Sequence, residues 1–383
     1  MERRAFIHLG SPKTGTTHLQ NTAWASRDVL AAAGVHLPLA RHDHFLLAEA
    51  LRADDVAPHD LADRPVLRRL ADDLAAHPSG DVLLTHELLS HALPSHLDVL
   101  LDLLAGFEVH LVLTVRDYQR QVPSEWQQFV KTQHIATYRN FLGRIRDNPD
   151  HVFWRGQDYQ AVLARWSRGV PAGRVHVVTL PPAGSPPTLL AERFFGLLGV
   201  NATTLRAGAA GRSNAMLGFE QAELLRQVNR ALPDSLLDQR RRYARLVKDW
   251  LAETVLAAQD GTRIVLPRER LDWCREVTER QVRALEAAGY DVVGSLDELL
   301  PGDDAPEDLP RPLPDAVLPA AVAALAAAVL QRGEDLDRIA ALERRVAELE
   351  EAAGGTEAGG GDGDGDGDGA RGPRGVLRRL RQR

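Results

Sequence analysis

The 383-residue chain predicts an α/β fold: a central parallel sheet flanked by helices, followed by a C-terminal helical appendage. Two observations carry this expectation. Short, continuous apolar runs rich in β-branched residues alternate with helical patterns, as expected of strands buried on both faces. The first run also leads into a glycine-containing turn and then a helix, the arrangement that makes an anion site.

The elements follow in order. "RAFIHLG" reads as the first strand. "HLQNTAWASRDVLAAAG" reads as a helix closed by Gly34. "PVLRRLADDLAAH" is helical, and "DVLLTHE" (Asp81 to Glu87) is the second strand. "EVHLVLTVRD" (Glu108 to Asp117) is the third, "DYQAVLARWSRGV" a helix, and "RVHVVTL" (Arg174 to Leu180) the fourth strand. From about residue 215 to 289 the pattern is mainly helical.

Residues 1–300 are expected to form one domain, and 301–315, rich in Pro and acidic residues, a linker. Residues 316–352 read as an Ala-rich helix in which Ile339, Leu342, Val346 and Leu349 keep 3-4-3 spacing. Such a row suits a short coiled coil, and equally a solvated helix. Residues 353–383 combine "GGGDGDGDGDG" with an arginine-rich end and are expected to be disordered.

Composition narrows the function classes. A net charge of −7 gives no support for nucleic-acid binding. Cys274 is the only cysteine, which excludes an intrachain disulfide and argues against a Cys-based metal site. The start "MERRAFIHLG" lacks a signal-peptide core, and no run reads as a bilayer span, so a cytoplasmic location is expected.

The stretch "HLGSPKTGTTHLQ" carries the chemistry. Gly10 and Gly15 have the spacing of an ATP- or GTP-binding loop, G-x-x-x-x-G-K-[ST]. Position 16 is Thr, so the lysine of that loop is missing, and Lys13 stands three residues earlier. Loss of the lysine that reaches the β and γ phosphates argues against NTP hydrolysis. A mid-loop lysine can instead arch over a shorter anionic group.

These residues resemble the 5′-phosphosulfate loop of sulfotransferases, which use 3′-phosphoadenosine-5′-phosphosulfate (PAPS). Pro12, Lys13, Gly15, Thr16, Thr17 and Leu19 match the pattern P-K-x-G-T-T-x-L. The resemblance implies a P-loop-like sulfotransferase fold, with Ser11, Lys13, Thr14, Gly15, Thr16 and Thr17 at the cofactor. A second motif agrees. "VRDYQRQVPSEW" places Ser124 eight residues after Arg116, as in the family's 3′-phosphate site. A fixed cation and a short hydroxyl donor suit that anion. "SEWQQFVKTQ", "DYQAVLARW" and "GRVHVVTL" are similar to bacterial and glycan-type members, and "GRSNAMLGFEQAELLRQVN" makes Arg212, Ser213 and Asn214 candidates near the nucleotide. A helix cap at Ser213 or Asn214 explains the last stretch equally well. The G-x-x-G-x-x-K loop of the cytosolic small-molecule branch is absent from the sequence.

Sulfuryl transfer needs a base for the acceptor proton. "LLTHELL" offers His86 and Glu87, and alternation along a strand would turn them to opposite faces. The resemblance favours Glu87 as base, with Lys13 stabilising the leaving oxygen. Other features are less specific. His42 and His44, with His36 nearby, would need a further ligand to hold a metal, and no metal is expected. Arg240, Arg241, Arg242, Arg245 and Lys248, and also Lys131, Arg139, Arg144 and Arg146, suit an anionic acceptor or a solvated face. The expected activity is PAPS-dependent sulfation of a glycan, glycolipid or small-molecule acceptor, releasing 3′-phosphoadenosine 5′-phosphate (PAP), with homodimerisation through the C-terminal helix as a further expectation. The alternatives are a nucleotide-kinase-like enzyme and a non-catalytic PAPS- or PAP-binding scaffold.

Overall fold

The computed structural model describes residues 3–206, 208, 216–307 and 314–357, with side chains to residue 350. Six strands form one sheet: β1 (Arg3–His8), β2 (Val35–His36), β3 (Asp81–Thr85), β4 (Phe107–Val115), β5 (Val175–Thr179) and β6 (Asp291–Val293). Their order is β2-β3-β1-β4-β5-β6, and every neighbouring pair is parallel. The four expected strands are present. β2 and β6, two and three residues long, are additional edge strands.

Alternation along the strands divides the core between two faces. Phe6, Leu83, Val112 and Val178 face helices Thr16–Ala25 and Leu189–Leu197, where they meet Leu19, Ala23, Phe194 and Phe195. Ala5, Ile7, Leu84, Leu111, Leu113 and Val115 face a larger layer that includes helices Arg41–Arg52, Pro65–Ala76, Tyr118–Lys131 and Tyr159–Trp166. Trp126 and Trp166 are buried on that side.

The chain leaves β1 toward β2 and β3, then returns past β1 to β4. The order in which strands are added therefore reverses between β1 and β4. Ligand crevices in open α/β sheets lie at the carboxyl ends of strands beside such a reversal.

The segment expected as one helix closed by Gly34 is two, Thr16–Ala25 and Arg27–Ala32, broken at Ser26. The Ser26 hydroxyl accepts from the Arg206 backbone N–H at 2.8 Å, a long-range contact with no local sequence signature. Gly34 has φ +83°, which fits its closing role. Within the helical region, Ala244–Leu256 is a π-helix, a rare form that concentrates at functional sites.

The last helix runs Pro314–Glu357, and the chain divides into compact units inside it, between Ala324 and Leu325. Leu325, Val329, Leu330, Leu336, Ile339, Leu342 and Leu349 are exposed along it. One expectation is corrected here. Pro314–Glu350 is long and apolar enough, by length and composition, to cross a membrane. Alanine, valine and leucine together supply that apolarity. The Gly/Asp-rich and arginine-rich end lies outside the described residues.

Candidate active site

The loop after β1 is held in an unusual backbone path. Gly10, Lys13 and Gly15 all have positive φ, at 43°, 66° and 83°. Left-handed backbone suits glycine but costs a lysine about 1–2 kcal/mol. A Cβ at Gly10 would stand 2.4 Å from Thr16 Cγ2, so only glycine fits there.

The carbonyls of the strained segment are pinned. Pro12 O accepts from the side chains of Gln157, at 3.2 Å, and Gln121. Lys13 O accepts from Arg116 Nη1 at 3.2 Å. A trans peptide points its N–H opposite to its carbonyl, so these bonds turn the Lys13 and Thr14 amides to the other side of the loop. Helix Thr16–Ala25 then starts at Gly15 with no side-chain cap on its first turn. Uncapped amides at a helix N-terminus form a ready anion site.

A buried polar chain braces the loop from below. Thr14 Oγ1 donates to Ser11 O at 2.6 Å and lies 2.6 Å from Thr114 Oγ1. His8 lies 3.3 Å from Thr114 Oγ1 through Nε2 and 2.8 Å from Thr85 Oγ1 through Nδ1. Proton bookkeeping fixes the order. Thr14 spends its one hydrogen on a carbonyl, so Thr114 donates to Thr14. His8 Nε2–H must then donate to Thr114. Burial, reinforced by His86, pushes His8 down to about 3, so the ring is neutral and its Nδ1 accepts from Thr85.

Arg116 follows β4 directly, and Ser124 lies within helix Tyr118–Lys131. Arg116 Nη1 is 3.4 Å from Ser124 Oγ. Tyr159 fixes the Arg116 backbone, accepting from its N–H at 3.3 Å and donating to its carbonyl at 2.5 Å. Arg116 Nε is buried without a hydrogen-bond partner. Arg116 and Ser124 line a cavity of about 540 Å³ that also holds Arg120, Arg263, Leu217 and Ile264. Arg212, Ser213 and Asn214 lie outside the described residues; Met216, just beyond them, lines this cavity.

His86 and Glu87 stand where β3 gives way to a short 3₁₀ helix, Glu87–His91. His86 caps that helix, its Nδ1 accepting from the Leu88 N–H at 3.1 Å. Burial lowers its affinity for a proton, and Glu87 opposes this. Glu87 Oε2 accepts from Gln20 at 2.9 Å, and its side chain is 28% exposed. Glu87 therefore keeps accessible carboxylate surface, whereas His86 Nδ1 is committed to the backbone.

The other sequence candidates separate. Ser11 Oγ donates to Gly156 O at 3.0 Å and its N–H to Thr114 O at 3.2 Å, so Ser11 forms the wall of the loop. Thr14 is likewise buried within the brace. Thr16 is buried and Thr17 partly exposed at the helix start. His44 is a core residue, with Nε2 at 2.7 Å from Pro38 O. His36 pairs at 2.6 Å with Asp73, which also neighbours His77. These three place ligand-type atoms within 4.8 Å of one another, but the two imidazoles stack at 3.8 Å and 20°. His36 Nε2 and His77 Nδ1 lie 2.6 Å and 3.0 Å from the same Asp73 oxygen, so the trio forms a charge-neutralising cluster around that carboxylate.

The sequence reading passed over Glu125. It follows Ser124, is 5% exposed, and has a buried Oε1 without a hydrogen-bond partner. Burial pushes its carboxyl up to about 7, opposed by Lys13 and reinforced by Glu87. Burial lowers the Lys13 ammonium, opposed first by Glu125 and then by Glu87. Lys248 and Glu253, one turn apart on the π-helix, act on the same ammonium with opposite signs. Glu253 stands 3.9 Å from Lys131, which burial, with Lys13, pushes down to about 8.

No protein-family model and no curated protein matches the chain. Among solved structures, the chain is similar to a sulfotransferase from Alicyclobacillus acidocaldarius, with a TM-score of 0.37 and 16% identity over 64% of this chain and 96% of that one.

Proposed function

We propose that the chain transfers a sulfuryl group from PAPS to a hydroxyl or amine of a glycan, glycolipid or small-molecule acceptor, releasing PAP. One observation carries this reading: Arg116 bonds to the Lys13 carbonyl and faces Ser124. A single guanidinium thereby joins the anion loop to a second cationic site. A ligand with anionic groups at both ends of a nucleoside fits that pair. A nucleoside triphosphate offers one phosphate chain, and the lysine that would serve it is replaced by Thr16.

In this reading, the loop amides and Lys13 hold the 5′-phosphosulfate, and Arg116 and Ser124 the 3′-phosphate. The acceptor heteroatom forms a bond to sulfur, and the sulfur–oxygen bond to the 5′-phosphate breaks. Glu87 takes the acceptor's proton. Lys13 meets the charge developing on the leaving oxygen. Lys248, partly exposed and acting on the Lys13 ammonium, offers positive charge to an anionic acceptor.

Calorimetry tests the ligand class. PAP should bind at least tenfold more tightly than ADP or ATP with magnesium; preference for ATP, with turnover, overturns the reading. The exposed apolar row of the last helix supports pairing with a second copy of the chain. Sedimentation across concentrations tests that pairing, and a monomer at every concentration removes it. Flotation with lipid vesicles tests the same row against a membrane.

A further inference from the structure

The last helix carries more than an apolar row. Ile339 and Val346 stand seven residues apart, as do Leu342 and Leu349, and together they keep the 3-4-3 spacing of one coiled-coil seam. All four are exposed, from 37% to 60%, and no described residue between 325 and 350 is buried. Apolar residues scattered singly on a surface are ordinary, but a continuous row marks a place where something docks. Nearer the helix start, Val317, Ala320 and Ala324 are buried, so the open seam lies beyond them.

The residues at the seam say what would cover it. Ile339 and Val346, both β-branched, take one inward position (a), and the two leucines take the other (d), the combination that favours two parallel strands. Arg338 and Arg345 flank the seam on one side (g), and Glu343 and Glu350 on the other (e). In a parallel, in-register pair each g residue faces the e residue five positions on in the second helix. Arg338 then meets the partner's Glu343, and Arg345 meets the partner's Glu350. Antiparallel helices would set g beside g and e beside e, arginine against arginine and glutamate against glutamate. The pattern is thus complementary to itself in one orientation. One heptad earlier, Arg332 and Asp335 take the inward positions. A polar step of this kind fixes register, because slipping by one heptad would press Arg332 against Ile339. Charges of both signs border the row, whereas a helix lying in a membrane surface carries mainly Lys and Arg on its polar face. Within the single helix Arg345 pairs with Glu348 at 3.0 Å, both side chains being exposed, and so open an ion pair is weak and easily exchanged.

We propose that residues 332–350 pair with the same segment of a second copy of the chain as a parallel, in-register, two-stranded coiled coil. This rests on the reading of the last helix as a pairing surface and is independent of the loop chemistry. Burial of the a and d side chains drives the association, and the arginine–glutamate pairs set its orientation. The seam is short, so the association depends on concentration.

Ile339→Cys and Leu349→Cys, each in the full chain, report orientation by disulfide formation under mild oxidation. The only native cysteine, Cys274, is buried, so wild type should give no link. Each variant should link with itself, because a parallel register sets like residues opposite each other. Antiparallel helices would link only a mixture of the two variants, a result that overturns the proposal and leaves pairing intact. Charge reversal supplies the second arm. Arg338→Glu with Arg345→Glu should weaken self-association, measured by sedimentation, about tenfold or more, because glutamate then faces glutamate. Adding Glu343→Arg with Glu350→Arg should restore it. A dimer indifferent to the first reversal, or not restored by the second, overturns the proposal. A monomer at every concentration, with no link in either cysteine variant, removes pairing as well, and binding of that monomer to lipid vesicles assigns the row to a membrane. None of these outcomes bears on sulfuryl transfer.

Discussion

Arg116 donates to the main-chain carbonyl of Lys13 across 3.2 Å, joining the end of β4 to the loop after β1. The bond crosses the point where the strand order reverses. It stabilises a lysine in left-handed backbone and turns the Thr14 amide to the other side of the loop. The same guanidinium also faces Ser124.

Replacing Arg116 should show both debts. Arg116→Ala should weaken PAP about 10- to 150-fold, the range for charge-assisted hydrogen bonds. Adenosine 5′-phosphosulfate, which lacks the 3′-phosphate, should lose less, but still measurably, because the Lys13 carbonyl loses its donor. Calorimetry with both ligands decides; equal losses refute the 3′-phosphate assignment. Ser124→Ala should follow the same ranking with a smaller loss.

Lys13 is expected to act mainly on the transition state. Lys13→Ala should reduce turnover about 100- to 1000-fold while PAP affinity changes much less. Unchanged turnover at saturating PAPS removes Lys13 from this role.

His8 links stability to acid. The folded chain holds His8 neutral down to about pH 3. The unfolded chain binds that proton below about pH 6.5. Acidification therefore favours unfolding, and the contribution is present above pH 6.5 and lost between there and pH 3. His8 accounts for about 1.4 kcal/mol per pH unit in that window. His8→Gln should unfold with a shallower acid dependence by about that slope. It should also cost about 1–3 kcal/mol at pH 7, because Thr85 and Thr114 lose buried partners. Denaturant melts at pH 7, 6 and 5 measure both, and an unchanged slope would show that His8 is not held neutral.

The base is tested by substitution. Glu87→Gln should keep PAP binding and lose transfer, because an amide preserves shape without basicity. His86→Ala should cost less in transfer and more in stability, since His86 caps the helix that carries Glu87. The reverse ranking moves the base to His86.

The parts legible in the sequence were those with local signatures. Four buried strands declared themselves by β-branched runs, and the loop by two glycines around a lysine. Arg116 and Ser124 were singled out by their resemblance to a motif after a buried strand, and the structure brings them to 3.4 Å. β2 and β6 were missed because two or three residues at a sheet edge carry no periodicity. Ser11 was read as a ligand because loop position alone cannot show that Gly156 takes its hydroxyl. His8 looked like one more strand residue; its role depends on Thr85 and Thr114, brought alongside only by strand pairing. Glu125 was hidden for the same reason. A glutamate on a helix is ordinarily solvated, and only the fold encloses this one and leaves its Oε1 without a partner.

The most direct test of the central claim is transfer itself. The full chain should be incubated with PAPS carrying labelled sulfur and with fractionated cell extract, followed by mass spectrometry. The account predicts a labelled acceptor formed in equal amount with PAP, lost in Glu87→Gln although that variant still binds PAP. Failure to bind PAP, or magnesium-dependent turnover of ATP in its place, would contradict it.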